Sequence, residues 1–343
     1  MQLKTFGDSI TAGAGASSTA NRYANLLAAS LGRTLANYGV NGNCAADQAI
    51  VSRGVTFSAS DIATLMIGAN DSQRYFTTVQ QGYYGAFVRE IVAAALLPSK
   101  VKGRDSGMSK AGTWVDTQPS WSYGCRSNVS GSEATCTVQG ESIYIGTILQ
   151  DMNGGPLNGE AEVWVDGEKA GIISSSGQGM PTAFNSYAPA CYRFAGFSAS
   201  THEVKIKLIS GWIYLEYVAG SDQPDTPSFY LSTVCKLFQQ AQNDDPTIQK
   251  LNIIINALAA EFIADGFDLT LVGNYHVIGQ SDLIGDGIHP NDTGHAKLSE
   301  AFFAAMATIA PVTYVETPTF KGSDCNFYIG EGAARKRIET SSI

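Results

Sequence analysis

The chain has little charge and few basic residues. Only 15% of its 343 residues are charged, and 22 Lys and Arg stand against 31 Asp and Glu, a formal net charge of -9. Binding to a phosphate backbone needs clustered basic side chains. The one basic run, at residues 335–337, is short and typical of a solvated tail. The composition therefore predicts no nucleic-acid partner.

Long hydrophobic runs are also missing. No window approaches the roughly 18 consecutive apolar residues that a membrane span needs. The chain opens directly into a strand-like segment at residues 3–6, without the charged and apolar regions of a signal peptide. We therefore expect neither a membrane span nor a signal peptide, so that any export would use another route, or the protein would be released by cell lysis as a virion component is.

Cysteine and histidine are too few and too scattered for a metal site. The six cysteines show no C-x-x-C spacing, and none of the four histidines lies at metal-site distance from them. Cys125 and Cys136 lie on either side of a short polar turn, where a cross-strand disulfide and two free thiols are both open. The sequence predicts no metal.

Two parts of the chain alternate short apolar strands with amphipathic helices, the pattern of an α/β domain with a parallel sheet. Residues 1–101 form the first part and residues 212–310 the second. Strands are predicted at residues 3–6, 34–38, 62–67, 213–218 and 269–272. A helix is predicted to follow the strand at 62–67 and to run to about residue 97. Further helices are predicted at residues 21–31, 228–243, 246–265 and 293–307.

Residues 102–211 have a different character, because helix periodicity fades and short alternating segments follow one another between Gly, Asn and Ser turns. This pattern predicts an inserted all-β domain. All four tryptophans fall inside it or at its exit edge: Trp114, Trp121, Trp164 and Trp212. Residues 311–343 are predicted to form a C-terminal extension with two short apolar pieces, at 312–315 and 326–329.

Four short motifs follow one another in the predicted α/β parts. They are Gly7-Asp8-Ser9 after the first strand, the segment from Asn37 to Gly42, the segment from Gly68 to Asp71, and the segment from Asp286 to His289. Active sites gather at the carboxyl ends of parallel strands, although Gly-Asp-Ser alone is also ordinary turn chemistry. Together and in this order, the four motifs resemble the consensus blocks of the SGNH, or GDSL, hydrolases.

The resemblance implies a fold, a chemistry and a site. The fold is a flavodoxin-like three-layer α/β/α core, with no metal and no organic cofactor. Ser9 would be the nucleophile, His289 its base and Asp286 the residue that orients the histidine. The oxyanion donors would be the amides of Ser9 and Gly42 and the side chain of Asn70. Gly42 is preferred to Gly39 because the family's glycine follows its Asn by five residues.

These residue types suit ester hydrolysis. A serine hydroxyl is a poor nucleophile at neutral pH, and an imidazole can take its proton and later return it to the leaving alcohol. The tetrahedral intermediate carries a negative charge, and each preorganised donor contributes roughly 3 to 4 kcal/mol to its stabilisation.

The insertion resembles the jelly-roll or carbohydrate-binding-like modules of some SGNH esterases that act on polysaccharides. Trp114 and Trp121 lie among Gly, Pro and Ser and are candidate substrate-binding residues, although filling the sandwich core is the simpler role for any one Trp. The resemblance implies an esterase that removes O-acetyl groups from a polysaccharide, with acetylated glycan as substrate.

Within that resemblance several sources and activities stay open. A bacteriophage tail protein, with other virion tail proteins as partners, fits the resemblance, and a xylan or peptidoglycan deacetylase fits nearly as well. A lipid-directed or general esterase such as a lysophospholipase would use the same four blocks. A glycan-binding module without activity would keep the fold, although the intact set of site residues speaks against it.

Overall fold

The computed structural model of the chain describes residues 1–74, 77–117, 124–150, 159–177, 179–180, 187–238 and 245–307, and the backbone of three short strands beyond residue 318. The chain divides into two compact units. One consists mainly of Met1–Leu96 and Asp225–Val315, and the other mainly of Leu97–Met180 and Asn185–Pro224. The boundaries therefore lie near residues 96 and 225, where the sequence predicted 101 and 212.

The first unit opens with alternating strands and helices. Its elements are β1 (Gln2–Gly7), α1 (Ser9–Ala12), α2 (Tyr23–Leu31), β2 (Thr34–Asn37), α3 (Ala45–Arg53), β3 (Ile62–Met66) and α4 (Thr78–Leu96). Strand β1 is buried along almost its whole length, as expected for a parallel strand that is covered on both faces. The strands predicted near residues 3–6, 34–38 and 62–67 are confirmed, whereas α3 was missed.

The second unit is all β. Its strands are β4 (Val101–Lys102), β5 (Ser109–Ala111), β6 (Val115–Asp116), β7 (Cys125–Ser127), β8 (Glu133–Gln139), β9 (Ser142–Gln150), β10 (Glu160–Val165), β11 (Glu168–Ser174), β12 (Tyr187–Ala195), β13 (Thr201–Ser210) and β14 (Ile213–Gly220). They form two sheets. Sheet I has the order β11-β10-β13-β8-β5, and sheet II has the order β12-β9-β14-β7-β6 with β4 beside β14. The predicted all-β insertion is confirmed.

Alternating side chains from both sheets fill one apolar core in this unit. Cys125 and Cys136 belong to this core and are free thiols, so the disulfide left open above does not form. Trp114 packs against the same core.

The chain then returns to the first unit with β15 (Ser228–Ser232), α5 (Asp245–Ala264), β16 (Leu269–Val272) and α6 (Asp292–Ala307). The sheet of this unit has the order β2-β1-β3-β15-β16, and every neighbouring pair is parallel. In the order of its own strands this is 2-1-3-4-5, the flavodoxin-like arrangement that the sequence predicted. Helix α2 packs on α6, and α3, α4 and α5 pack in a second group.

Two sequence-based assignments are wrong. The strand predicted at residues 213–218 exists as β14, but it pairs antiparallel with β9, β7 and β4 in sheet II and is not part of the parallel core. The fourth core strand is β15, in a segment predicted as the start of a helix. A buried apolar run predicts a strand but not its partner, because the partner depends on distant residues.

Beyond residue 318 the three short strands β17 (Thr319–Lys321), β18 (Asn326–Ile329) and β19 (Lys336–Arg337) pair antiparallel. The apolar piece predicted at 312–315 lies outside the described residues. Among the helices that the structure describes, none combines the length and the apolar character needed to cross a membrane.

Candidate active site

Ser9 occupies a sharp turn at the carboxyl end of strand β1, an inner strand of the parallel sheet. Asp8 is the N-cap of α1, and its Oδ1 accepts the Ile10 amide at 3.0 Å. Gly7 has a φ of +157°, and a Cβ there would lie 2.2 Å from both the Met66 carbonyl oxygen and Thr11 Oγ1. Only glycine fits this close approach. The turn places Ser9 on the first turn of α1, where its amide has no intrahelical acceptor.

A second short loop, ahead of α6, carries the acid and the histidine. One oxygen of Asp286, Oδ1, accepts the amides of Ile288 at 2.9 Å and of His289 at 3.0 Å. Gly287, which lies between Asp286 and Ile288, has a φ of +70°, in the left-handed region. The Ile284 amide donates to the His289 carbonyl at 2.8 Å and closes the loop. The carboxylate of Asp286 therefore shapes the loop that presents the imidazole.

The three side chains predicted as the catalytic set form one hydrogen-bonded row. His289 Nδ1 lies 2.6 Å from Asp286 Oδ2, and His289 Nε2 lies 2.8 Å from Ser9 Oγ. Partial burial raises the pKa of Asp286, but the hydrogen bonds from the His289 ring and from the loop amides outweigh it and hold that pKa below its usual range. An ionised Asp286 accepts the Nδ1 proton, which leaves the Nε2 lone pair facing the Ser9 hydroxyl.

Asn70 and the Gly42 loop are joined to each other. Asn70 Nδ2 donates to the Asn43 carbonyl at 2.9 Å, and because the amide group carries two protons, its second proton remains to be donated elsewhere. Gly42 has a φ of +80°, which favours glycine at this position. Asp71 accepts the Ala45 amide at 2.9 Å and ties the start of α3 to the same turn.

The Gly42 loop also borders the Ser9 turn. The Val40 amide donates to the Gly7 carbonyl at 3.1 Å, and Asn37 Nδ2 donates to the Thr11 carbonyl at 2.8 Å. Gly39 lies against α1, where a Cβ would come within 2.5 Å of the Ala12 amide nitrogen. Gly39 therefore has a packing role next to Ser9.

Two buried carboxyl groups lie beneath these loops. Burial raises the pKa of Asp8 to about 6, against the hydrogen bonds from the Ile10 and Ala69 amides. Burial, helped by the nearby charges of Asp8 and Asp47, raises the pKa of Asp71 to about 8. Both side chains bind loop amides, the role that short acidic side chains take in turns.

Sequence reasoning missed a clamp between the chain after α1 and the start of α6. Asp292, the first residue of α6, accepts hydrogen bonds from the Ser17 amide at 2.8 Å, Ser17 Oγ at 2.6 Å and Asn21 Nδ2 at 2.8 Å. The cap is Asn291, whose Oδ1 accepts the Gly294 amide at 3.1 Å. Nothing in the local sequence pairs position 17 with position 292, so only the fold reveals the clamp.

His295 reinforces this clamp. Its Nε2 lies 3.1 Å from the Ala14 carbonyl, and its Nδ1 accepts the Tyr23 amide at 3.3 Å. Burial lowers its pKa, so the ring is neutral, with the proton on Nε2. The Ala14 amide in turn donates to the Ser9 carbonyl at 2.9 Å. The start of α6 and the Ser9 turn are therefore held by a common set of hydrogen bonds.

The two tryptophans proposed for substrate binding are not equally placed. Trp114 donates its indole N–H to the Glu133 carbonyl at 2.9 Å and packs on the core of the β unit. Trp121 lies outside the described residues. Over the described part of the chain, no group of three His, Cys, Asp or Glu side chains is placed to hold a metal ion.

A parallel sheet of order 2-1-3-4-5, with a Gly-Asp-Ser turn after its first strand, is the fold of an SGNH hydrolase. Residues 5–128 match the GDSL-like Lipase/Acylhydrolase family. The chain thus carries a GDSL-like lipase/acylhydrolase domain, together with an inserted β domain. No curated protein matches the chain in a sequence search.

Solved structures similar to this one are distant in sequence. A two-domain esterase active on acetylated mannans, crystallised with mannopentaose, is 13% identical with a TM-score of 0.38, over 64% of this chain and 89% of that one. A G-D-S-L family lipolytic protein from Veillonella parvula DSM 2008 is 11% identical with a TM-score of 0.44, over 90% of this chain and 100% of that one. The CBM36-1 domain of a xylanase from the Trinervitermes trinervoides hindgut metagenome is 12% identical with a TM-score of 0.27, over 35% of this chain and 93% of that one.

Proposed function

We propose that this protein is a serine esterase that removes O-acetyl groups from a polysaccharide. The observation that carries the proposal is the hydrogen-bonded row from Asp286 through His289 to Ser9, with contacts of 2.6 and 2.8 Å. A neutral imidazole whose Nε2 faces a serine hydroxyl, with a carboxylate fixing its tautomer, is the arrangement that activates serine for attack on an ester.

The reaction follows from these contacts. Ser9 Oγ attacks the ester carbonyl carbon while His289 Nε2 takes its proton, and the carbonyl oxygen becomes an oxyanion. That oxyanion would be stabilised by hydrogen bonds from the amides of Ser9 and Gly42 and from the second N–H of the Asn70 side chain. His289 then gives its proton to the leaving alcohol. Water enters, loses a proton to His289 and attacks the acyl-Ser9 ester; His289 then returns the proton to Ser9 Oγ as the acid leaves.

The polysaccharide part of the proposal rests on two further features. The β unit has its own apolar core and is a compact unit separate from the esterase core, as a glycan-binding module would be. The inserted β unit also resembles the carbohydrate-binding-like modules of some SGNH esterases, which makes an acetylated glycan the substrate to test; the mannan esterase named above likewise has two domains.

The test measures hydrolysis of p-nitrophenyl acetate, butyrate and octanoate by the wild type, and acetate release from acetylated mannan and xylan. We expect Ser9→Ala to lose activity by about 10³-fold or more, because the nucleophile is absent. Ser281→Ala is the matched control, since Ser281 is an exposed serine a few residues before the Asp286–His289 loop. Preference for octanoate would support a lipid-directed esterase instead, and an inactive wild type would contradict the proposal.

A further inference from the structure

The outer face of sheet I carries an aromatic side chain among charged ones. In β10, Ala161, Val163 and Val165 point into the core, so Glu162 and Trp164 lie on the opposite face. The cross-strand partner of Trp164 in β13 is Lys205, and that of Glu162 is Lys207. A large apolar ring thus stands on a face that is otherwise polar.

Trp164 lines a depression on this face. The depression has a volume of about 200 Å³, and its walls are Glu133, Trp164, Gly167, Glu203, Lys205 and Lys207. Gly167, in the turn after β10, has a φ of +84° and no atom within 4 Å of where its Cβ would be, so that side of the depression is open. The space is below the roughly 300 to 1,000 Å³ of a drug-sized site, and suits one ring of a longer ligand.

The indole of Trp164 is held in place. Its Nε1 donates to Glu162 Oε2 at 3.1 Å, and the other oxygen of that carboxylate accepts Lys169 Nζ at 2.7 Å. A ring that is already oriented loses little conformational entropy when a ligand stacks on it. Planar aromatic rings offer apolar area to the faces of sugar rings, while the hydroxyls of the sugar remain at the edge.

The charged walls suit hydroxyl groups. Two carboxylates and two ammonium groups line the depression, so it attracts neither a polyanion nor a polycation. Lys205 Nζ and Glu133 Oε2 lie 3.6 Å apart, a long distance for an ion pair. Among the described residues, the side chains of Glu203 and Lys207 have no hydrogen-bond partner, and donors and acceptors therefore surround the ring on several sides.

We propose that this face binds an uncharged polysaccharide, with one pyranose ring stacked on Trp164 and its hydroxyls bonded to the surrounding Glu and Lys side chains. The inference rests on the proposed function in taking a glycan as the substrate of the esterase. It assigns substrate capture to Trp164 in place of Trp114, whose ring packs on the core.

The experiment measures binding without hydrolysis. Every protein carries Ser9→Ala, and its migration is compared in native gels with and without acetylated mannan, acetylated xylan and their deacetylated forms. Affinities for mannopentaose and xylopentaose are then measured by calorimetry. We expect Trp164→Ala to weaken binding by about tenfold or more, the size of effect typical of a central aromatic anchor. Trp164→Phe should retain part of the affinity, because it keeps a ring.

Two controls separate this result from misfolding and from failure of the esterase. Trp212→Ala removes another tryptophan of the same unit, one that stacks with Arg126 at 4.9 Å, and should bind like its parent. Trp164→Ala should unfold at nearly the same temperature as its parent, which excludes misfolding as the cause of weaker binding. Equal binding by Trp164→Ala and its parent, or no retardation by any polysaccharide, would overturn the inference. An inactive wild-type enzyme would overturn the proposed function alone, since binding is measured without catalysis.

Discussion

Asp286 uses its two oxygens for different tasks. Oδ1 accepts two amides of its own loop, and Oδ2 accepts the imidazole at 2.6 Å. The side chain therefore shapes the loop and fixes the tautomer of His289 at the same time. A substitution that keeps the first task and abolishes the second can separate them.

Asp286→Asn is that substitution. Its side-chain oxygen can still accept the loop amides, but its NH₂ group would face His289 Nδ1 and favour the tautomer that carries the proton on Nε2. That tautomer cannot take the proton of Ser9, and we expect kcat to fall by about 10³- to 10⁴-fold. The assay is p-nitrophenyl acetate hydrolysis, with thermal unfolding to show an intact fold. Asp222→Asn, an exposed acid in the other unit, is the control; a kcat near wild type for Asp286→Asn would contradict the assignment.

At the scale of elements, a charged histidine links two loops of the β unit. His202 is buried in β13, and its Nδ1 lies 2.6 Å from Asp166 Oδ2, in the turn between β10 and β11. Its Nε2 lies 2.8 Å from the Ser198 carbonyl, in the loop before β13. Both partners are acceptors, so the ring must donate from both nitrogens and carry a positive charge.

The pH dependence of this link has a definite sign. The hydrogen bond to Asp166 raises the pKa of His202 above 6.5. The contribution of His202 to the free energy of unfolding is therefore fully present below the pKa of His202 in the unfolded chain. It is lost as pH rises through the higher pKa of His202 in the folded chain. Relative to wild type, His202→Gln should lower the free energy of unfolding by about 1 to 2 kcal/mol near pH 6. This difference should shrink at about pH 8.5. Urea unfolding at both pH values checks it, and an unchanged difference would show that the ring is not charged.

The sequence predicted elements best where the signal is local. The Gly-Asp-Ser turn and the Asp286–His289 loop lie within a few residues, and each forms as expected. Helix α3 was missed because its sequence has almost no amphipathic pattern and its N-cap is Cys44, an unusual cap residue. Strand β14 was assigned to the wrong sheet because both of its faces are buried, a pattern also typical of parallel core strands.

At the scale of the whole molecule, the first unit keeps two buried acids, Asp8 and Asp71, beneath its loops. Asp71 is fully buried, and its pKa in the fold is about 8 against 3.8 for an exposed side chain. Between these values the folded chain binds a proton that the unfolded chain has lost. Stability therefore falls as pH rises through this range.

Asp71→Asn should remove that loss, because an amide is neutral at every pH and its oxygen can still accept the Ala45 amide. We expect the free energy of unfolding of the variant, relative to wild type, to rise between about pH 5 and about pH 8. Urea unfolding over this range measures it. Curves that run parallel for the two proteins would mean that Asp71 is already ionised in the fold.

The motifs predicted Ser9, Asp286 and His289 as a catalytic set, which stays a prediction, but they did not predict how distant parts of the chain hold these residues. The Asp292 clamp and the contact of Asp71 with Ala45 join segments that no spacing rule connects. Trp164 gave no signal of its own in the sequence, since an alternating strand does not tell which face is covered. Long-range pairing decides these features.

The insertion also has a consequence for folding during synthesis on the ribosome. Strand β3 pairs residue 62 with residue 228 of β15, so the central sheet cannot be completed until the whole β unit has been synthesised. Domains fold as units during translation, and a β unit that collapses first would shorten the effective loop that β15 must close. The hydrogen bond between Ser9 Oγ and His289 Nε2 can form only later still, after residue 289 has been synthesised. A nascent chain would thus stay inert until residue 289 has emerged.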